Sequence, residues 1–419
     1  MYSAGNYIIL LCGFLTGYLV SRIFVKTGLA ASVVIGFIRI SNGHISYLLL
    51  FLIGSSALLS SFIPNTVTVL ALIPILRIIN RQYKKLETRK GQLSTPIVMS
   101  VIYGANIGGM SSIIGSPANA VLIGFLPLLE KNYNTVIAGR EGITFFSWLT
   151  FGIPSAALLV LIAWILIFLL LVPKSLKRAE LDFSSLERRS CPQKLRSAGL
   201  TLSISILIIW IVISVAQTYF PWLVVELSVA SIVTFVVFAL AVFLLKIKVN
   251  QRRSEPLLQP KDIYTGIPGK GLLIALGAAG LSGVLMILRV PDYIGTAFSS
   301  MDLSRIVHPI GVYIAIAMVV TYLTEFISNT TVALTFFPII MVLSLNLGLN
   351  PLASLLLVSL STTCAFMSPI ATPVNALAFG SVKGVSLKKM LLSGFLMNMI
   401  TATVLSLVVL HFALPVFAH

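Results

Sequence analysis

The chain has 419 residues, of which 58% are hydrophobic and 10% are charged, and its mean hydropathy is +1.03. A soluble domain carries about 25% charged residues, so this composition excludes an ordinary soluble protein and indicates a polytopic helical membrane protein. The formal net charge of +17 does not point to a nucleic-acid partner, because the basic residues are confined to a few loops.

Apolar runs long enough to cross a bilayer, about 20 residues each, recur along the chain. We predict eight crossings, at residues 7–25, 95–126, 144–172, 199–220, 222–246, 268–290, 352–380 and 389–416. Two further apolar segments, 44–79 and 309–347, each carry an Asn-Thr pair at the centre with turn signals on both sides. We interpret these two segments as re-entrant hairpins. The N-terminal residues lack the positive region of a signal peptide, so we expect residues 7–25 to be a retained helix.

The distribution of the 29 Lys and Arg residues orients the chain. Most of them fall on one face of the membrane, and the opposite face receives only Lys131, Arg140, Arg289 and Arg305. The positive-inside rule assigns the basic loops to the cytoplasm, and we expect the cell's inner (cytoplasmic) membrane. In this orientation the first hairpin enters from the cytoplasm and the second from outside, so the two halves have opposite topology.

A duplicated pair of motifs defines the two halves. The segment from Ser60 to Thr66 recurs from Thr324 to Thr330, and Gly115-Ser116-Pro117-Ala118-Asn119 recurs as Ala371-Thr372-Pro373-Val374-Asn375. Duplicated, Pro/Gly-broken segments at matching places in two halves are the best sequence pointer to a transporter's binding site. We therefore predict an all-α polytopic membrane protein with two inverted-topology repeats, each containing a re-entrant hairpin and a broken transmembrane helix.

The predicted domain boundaries follow from this repeat. The first repeat spans residues 1–172, with the hairpin at 44–79 and the broken helix at 95–126. A hydrophilic cytoplasmic linker occupies 173–198, and the second repeat spans 199–419, with the hairpin at 309–347 and the broken helix at 352–380. Helices 199–220 and 222–246 have no counterpart in the first repeat. Either that repeat is naturally short at its N-terminus, or the start site is placed too late.

The chemistry of the duplicated residues favours an anion with a cation. Asn and Thr side chains cap the following half-helix and leave amide and hydroxyl groups for a ligand. The N-termini of the half-helices after Thr66 and Thr330 favour negative charge. Carbonyl groups exposed where the helices break, at 108–119 and 364–375, suit Na⁺. No cofactor is expected, and without an HExxH or GxSxG motif the chain is not predicted to be an enzyme.

Glu325 is the only acidic residue inside a predicted hairpin. Carboxylates within a membrane commonly act as counter-ions or proton carriers. The alternative is a Glu that caps local backbone, and the sequence leaves both roles open.

At these residues the chain resembles the divalent anion:sodium symporter (DASS) family, in a superfamily that also holds arsenite permeases and sodium/proton antiporters. The match at Ser328-Asn329-Thr330 is complete, and residues 26–30, 104–119 and 145–154 also look like family patterns. The resemblance implies substrate contacts from Asn65, Thr66, Ser116, Pro117, Ser328, Asn329, Thr330, Thr372 and Pro373. It implies one Na⁺ at Ser60, Asn65 and Gly115, and another at Thr324, Ile327, Asn329, Ala371 and Thr372.

The resemblance also implies a function and an assembly. We expect sodium-coupled uptake of a small divalent anion, a dicarboxylate or sulfate, by an elevator-type movement within a homodimer. The rival functions are an arsenite or other anion permease, a sodium/proton antiporter with Glu325 as proton carrier, and a transport-incompetent truncated paralogue. The first signature has Pro64 where the family usually has Ser, which predicts the loss of one hydroxyl ligand and a stiffer tip.

Overall fold

The computed structural model describes residues 4–84, 93–177, 192–250, 253–264 and 308–417, together with residues 284, 287–289 and 293. The described part of the chain is almost entirely helical, as predicted. The first half contains α1 (Ala4–Thr27), α2 (Leu29–Ile40), α3 (Ile45–Ser60), α4 (Asn65–Lys84), α5 (Ser94–Met110), α6 (Pro117–Tyr133) and α7 (Phe145–Leu170).

The second half begins with two long helices and a short antiparallel β-hairpin, and then repeats the helical pattern of the first. Its elements are α8 (Gln193–Tyr219), α9 (Val224–Leu244), β1 (Lys246–Asn250), β2 (Arg253–Pro256), α10 (Pro260–Tyr264), α11 (Pro309–Leu323), α12 (Asn329–Leu347), α13 (Pro351–Ser361), α14 (Pro373–Ser381) and α15 (Leu387–Val408). Helix α15 continues through a π-helical turn, Val409–Ala413, into α16 (Leu414–Phe417).

Both predicted hairpins are pairs of helices joined by short tips. Helices α3 and α4 meet at residues 61–64, and α11 and α12 meet at residues 324–328. Helix α3 ends because Pro64 has no N–H to donate to the carbonyl of Ser60, four residues earlier. Whether the two hairpins enter from opposite membrane faces stays a prediction.

Both predicted broken helices are also present. The break between α5 and α6 covers residues 111–116, and the break between α13 and α14 covers residues 362–372. Each second half-helix starts with a proline, Pro117 or Pro373. Proline suits the first helical position because its missing N–H has no intrahelical partner there.

Glycines hold the first hairpin tightly against the first broken helix. A Cβ on Gly104 would overlap the carbonyl oxygen of Ile53, and a Cβ on Gly108 would overlap that of Ala57. Helices α3 and α5 therefore pack backbone to backbone, which fixes the height of the first tip beside the break at residues 111–116.

The buried apolar side chains form two separate clusters. The larger cluster is made by α2–α7 and α11–α16 and surrounds both hairpins and both broken helices. The smaller cluster is made by α1, α8 and α9, with Leu257 and Leu258 from the segment after β2. The candidate site residues thus belong to one packed body, and α1, α8 and α9 form a second body beside it.

The structure differs from the predicted elements at several places. Helix α2 was not predicted, and it is set off from α1 by Gly28, whose φ of +67° favours glycine. The β-hairpin is a small exception to the all-α prediction. Helix α8 begins at Gln193, directly after Pro192 and inside the predicted linker. The predicted crossing at 268–290 and the linker residues 178–191 lie outside the described residues, apart from a few positions.

Six helices among the described residues are long and apolar enough to span a membrane. Five of them coincide with predicted crossings or contain them. The sixth, Asn329–Leu347, is the second arm of the predicted hairpin at 309–347. The broken crossings at 95–126 and 352–380 do not count among the six because each is divided into two shorter helices.

Candidate functional site

The two hairpin tips present the same feature, a helix that begins at an Asn. In the first tip the carbonyl of Pro64 accepts from the backbone N–H groups of Val67 and Thr68, at 2.8 and 3.0 Å. In the second tip Ser328 is the N-cap of α12, and its carbonyl accepts from Val332 N at 2.9 Å. The amides that precede these bonds have no carbonyl one turn earlier in the helix, so the start of each half-helix carries partial positive charge.

The first tip brings together the three residues predicted to bind a cation. Ser60 Oγ donates to Asn65 Oδ1 at 2.5 Å. A Cβ on Gly115 would lie 3.1 Å from the carbonyl oxygen of Ser60. Gly109, which was not among the predicted ligands, also lies here, because a Cβ on it would be 2.7 Å from Asn65 Oδ1. Because Pro64 cannot donate to the Ser60 carbonyl, this departure from the family signature keeps a backbone oxygen out of the helical ladder.

The second tip leaves one side-chain oxygen without a partner. Asn329 Oδ1 is buried and has no hydrogen-bond partner among the described residues. Thr324 Oγ1 instead donates to Thr321 O at 2.8 Å. Ile327 is exposed, while Ala371 is buried on the break. Hydroxyl, amide and carbonyl oxygens of this kind are the ligands that hard cations prefer.

The predicted substrate residues sit at the starts of half-helices. The five residues at the two tips are half-buried, namely Asn65, Thr66, Ser328, Asn329 and Thr330. On the breaks, Ser116 and Thr372 are buried, and the proline after each is exposed, namely Pro117 and Pro373. Thr372 Oγ1 accepts from Asn375 N at 3.2 Å and caps α14. A substrate role for these residues stays a prediction.

Each break is closed by an asparagine with the same bonding pattern. Asn119 Nδ2 donates to the carbonyls of residues ten and seven positions earlier, Gly109 and Ser112, at 3.1 and 2.9 Å. Asn375 Nδ2 donates to the carbonyls at the same two separations, Ala365 and Ser368, at 2.9 and 2.8 Å. The duplicated Pro-x-Asn-Ala motif is the sequence signal of this pattern, although the two Asn residues were not predicted as site residues.

Side chains also connect the break of one repeat to the helix of the other. Ser359 Oγ in α13 donates to Asn119 Oδ1 at 2.9 Å. In the opposite sense, Asn106 Nδ2 in α5 donates to Ala365 O at 2.7 Å and to Asn375 Oδ1 at 3.3 Å. Both breaks are therefore held by their own Asn and by a polar group from the other repeat.

The four half-helices pair across the two repeats. Helix α4 packs against α14, and α6 packs against α12. Arg77 Nε donates to Ser381 O at 3.3 Å, and the rings of Phe125 and Phe337 lie 6.0 Å apart. Within each repeat the starts of the two half-helices also lie close together. Gly115, just before α6, lies beside the carbonyl of Ser60, just before α4. Glu325, just before α12, is bonded to residues 366–368, just before α14. Helix N-termini beside the tips and breaks are a favourable arrangement for an anion.

Glu325 has a defined place in the second tip. Its side chain is fully buried, and its carboxylate accepts hydrogen bonds from three successive backbone N–H groups of the break, at residues 366–368, and from Asn398 Nδ2. These contacts correspond to the backbone-capping alternative considered from the sequence.

No group of three or more His, Cys, Asp or Glu side chains that could hold a metal ion occurs within the described residues. The oxygens near the tips come from Ser, Thr and Asn side chains and from the backbone. Such a donor set fits a hard cation rather than a soft transition metal.

Comparison with known proteins gives an independent result. Residues 4–360 match the citrate transporter family, CitMHS. The chain is 26% identical over 423 residues to the sodium-dependent dicarboxylate transporter SdcS of Staphylococcus saprophyticus, covering 98% of this chain and 78% of that protein. It is 27% identical over 427 residues to SdcS of Staphylococcus aureus, with coverages of 98% and 77%.

The fold is also similar to a solved transporter structure. The crystal structure of the Alcanivorax borkumensis YdaH transporter matches with a TM-score of 0.61 at 12% identity, covering 96% of this chain and 86% of that chain. These findings confirm the helical membrane-transporter fold, the resemblance to the DASS family and the prediction that the chain is not an enzyme. Because the family match extends over residues 4–360 of 419, the chain belongs to the citrate transporter (CitMHS) family of membrane transporters.

Proposed function

We propose that this transporter couples the inward movement of Na⁺ to the uptake of a small divalent anion, a dicarboxylate or sulfate. The observation that carries the proposal is that the starts of the half-helices α4, α6, α12 and α14 lie beside the two Asn-Thr tips and the two breaks. Partial positive charge at these ends suits two anionic groups. The relatives named as sodium-dependent dicarboxylate transporters support both the ion and the substrate class.

The cation sites follow from the oxygens near each tip. Ser60, Asn65 and Gly115 surround the first, and Thr324, Ile327, Asn329, Ala371 and Thr372 surround the second. A bound Na⁺ between a tip and a break would hold the half-helix N-termini in place for the anion. Sodium is thus expected to raise substrate affinity, which is the coupling that a symporter needs.

The two hydrophobic clusters support an elevator-type movement. The larger cluster contains the tips, breaks and half-helices, and the smaller one contains α1, α8 and α9. Helices α8 and α9 expose wide apolar faces, including Val212 and Val229, as expected for helices against lipid or another subunit. We propose that the larger body carries the site across the inner membrane while α1, α8 and α9 remain in a homodimeric scaffold, with the basic loops in the cytoplasm.

Uptake into proteoliposomes tests the proposed function. The purified full-length protein should accumulate labelled succinate or sulfate when an inward Na⁺ gradient is imposed and should not do so with an inward choline gradient. Asn329→Ala should abolish this uptake because it removes the unpartnered Oδ1 at the second tip. Asn346→Ala is the matched control, since Asn346 is exposed near the other end of the same helix, α12.

The rival functions give different results in the same preparation. Proton release on adding Na⁺, without any organic anion, would indicate a sodium/proton antiporter, and accumulation of arsenite would indicate an arsenite permease. Binding of Na⁺ without transport of any tested anion would indicate a transport-incompetent paralogue. Uptake that depends on neither Na⁺ nor Asn329 would refute the proposal.

A further inference from the structure

The same position of each hairpin tip is joined to the same part of the neighbouring break. In the first repeat Ser61 is bonded to the break at residues 111 and 112: its hydroxyl accepts from Ser111 Oγ at 2.6 Å, and its carbonyl accepts from Ser112 Oγ. In the second repeat the equivalent residue is Glu325, which is bonded to residues 366–368. The two links correspond in position and differ in charge.

The geometry at Glu325 is that of an ionised carboxylate. Oε1 accepts from the N–H groups of Phe366 and Met367, both at 2.8 Å, and from Asn398 Nδ2 at 2.7 Å. Oε2 accepts from Ser368 N at 2.7 Å. A carboxylate has about four acceptor positions, and four donors use them. Each of these partner groups is a donor and none is an acceptor for an O–H group, so these contacts favour the ionised side chain over the protonated one.

The carboxylate stands between the two groups of residues proposed to bind the second Na⁺. On the tip it follows Thr324 directly in sequence. On the break it holds Ser368 N, and Ser368 O in turn accepts from Ala371 N at 3.4 Å. A buried negative charge at this place attracts a cation on the adjacent oxygens, and in a medium of low dielectric the attraction is poorly screened. Ser61 supplies no such charge beside the first site.

We propose that Glu325 is a positioning residue that fixes the second tip on its break and, through its charge, makes the second Na⁺ site the stronger of the two. This inference rests on the proposed sodium coupling. It assigns the two sites an order of filling, in which the second site binds Na⁺ at lower concentration and the first site binds afterwards.

Sodium titration without substrate tests this inference. The thermal stability of the purified full-length protein is measured against NaCl concentration at constant ionic strength with choline chloride, because a ligand of the folded state raises its apparent stability. Glu325→Gln keeps Oε1 and the three bonds to it, removes the charge, and loses the fourth bond because Nε2 cannot accept from Ser368 N. We expect it to raise the half-saturating Na⁺ concentration about tenfold or more. Ser61→Ala, which removes the hydroxyl contact of the neutral link and keeps its carbonyl contact, should raise it less than threefold.

A second variant separates the charge from the packing. Asn398→Ala removes the bond from Nδ2 to Glu325 Oε1 and keeps the charge. This variant should raise the half-saturating Na⁺ concentration less than threefold. If Glu325→Gln is too unstable to purify, Glu325→Ser, which replaces the carboxylate by the neutral residue found at the equivalent position 61, must raise the half-saturating concentration about tenfold or more, and a smaller rise overturns the inference.

The outcomes also distinguish this inference from the proposed function. If the wild-type protein shows neither Na⁺-dependent stabilisation nor Na⁺-driven uptake, the proposed function fails. If the wild type responds to Na⁺ and Glu325→Gln responds at the same concentration, sodium coupling stands and the role of Glu325 is overturned. Equal shifts for Glu325→Gln and Ser61→Ala would also overturn it, because they would show that the link matters and the charge does not.

Discussion

Replacing Asn375 by Asp exchanges a hydrogen-bond donor, Nδ2, for an acceptor oxygen in the second break while keeping the shape of the side chain. Asn375 is fully buried, and its Nδ2 donates to Ala365 O at 2.9 Å and to Ser368 O at 2.8 Å. In the Asp variant an oxygen would take the place of this nitrogen and face two carbonyl oxygens at these distances. Both bonds are then lost, and repulsion replaces them.

The size of the effect follows from the bonds that are lost. Each neutral hydrogen bond contributes about 1 kcal/mol net, and both carbonyls keep a second donor, Asn106 Nδ2 at Ala365 O and Ala371 N at Ser368 O. Asn375→Ala, which removes both bonds and the bond from Asn106 Nδ2 to Oδ1, should therefore lower the free energy of unfolding by about 3 kcal/mol. Asn375→Asp should lower it further, because the carboxylate is buried against two carbonyls with Asn106 Nδ2 as its one described donor.

Unfolding of the full-length protein in mixed micelles of increasing SDS fraction measures this free energy. The matched control is Asn346→Asp, the same substitution at an exposed position of α12, which should change the stability by less than about 0.5 kcal/mol. Asn119→Asp should behave like Asn375→Asp, because Asn119 makes the same two bonds in the first break. If the free energy of unfolding of Asn375→Asp lies within about 1 kcal/mol of the wild-type value, the reasoning is refuted, because about 1 kcal/mol corresponds to one net hydrogen bond.

Two further predictions concern the first tip and the end of α1. Gly109→Ala places a Cβ 2.7 Å from Asn65 Oδ1. It should displace the Asn65 amide and lower the Na⁺ affinity measured in the stability titration. An unchanged titration would contradict the assigned position of Asn65. Burial of Asp262 tends to raise its pKa, but hydrogen bonds from Lys26 and from Gln259 N outweigh this effect and hold the pKa below its usual range. The Lys26–Asp262 pair, at 2.8 Å, should thus stabilise the protein by about 0.5–1 kcal/mol at neutral pH. That contribution should be lost as the pH falls below about 4, and Asp262→Asn should lack this acid-dependent loss when unfolding is followed against pH.

The repeated elements could be recognised from sequence because their signals are local. Pro117 and Pro373 each indicate the start of a half-helix, because proline is favoured at the first helical position. Hydropathy identifies a long apolar helix such as Phe145–Leu170. Helix α2 was missed because its 12 residues follow α1 with only Gly28 between them. The start of α8 was placed too late, since Lys194 and Arg196 gave its first turn the composition of a loop.

The candidate site was predictable in its residue types and only partly in its contacts. The duplicated Asn-Thr motif pointed to Asn65 and Asn329, and the structure places both at helix starts. The bonds of Asn119 and Asn375 could have been suspected from the Pro-x-Asn-Ala repeat. Nothing local pointed to the bond from Asn106 to Ala365, which joins residues 259 positions apart, because that contact depends on how α5 packs against the second break.

Glu325 shows the division between sequence and tertiary structure most clearly. Its sequence context determined that a carboxylate lies in an apolar hairpin, where it must be neutralised, paired or hydrogen-bonded. Which of these applies was decided by the fold, which brings the N–H groups of residues 366–368 and the amide of Asn398, 73 positions away, onto one carboxylate. Helix periodicity and breaks are properties of neighbouring residues, whereas the partners of a buried charge depend on the relative placement of helices distant in the chain.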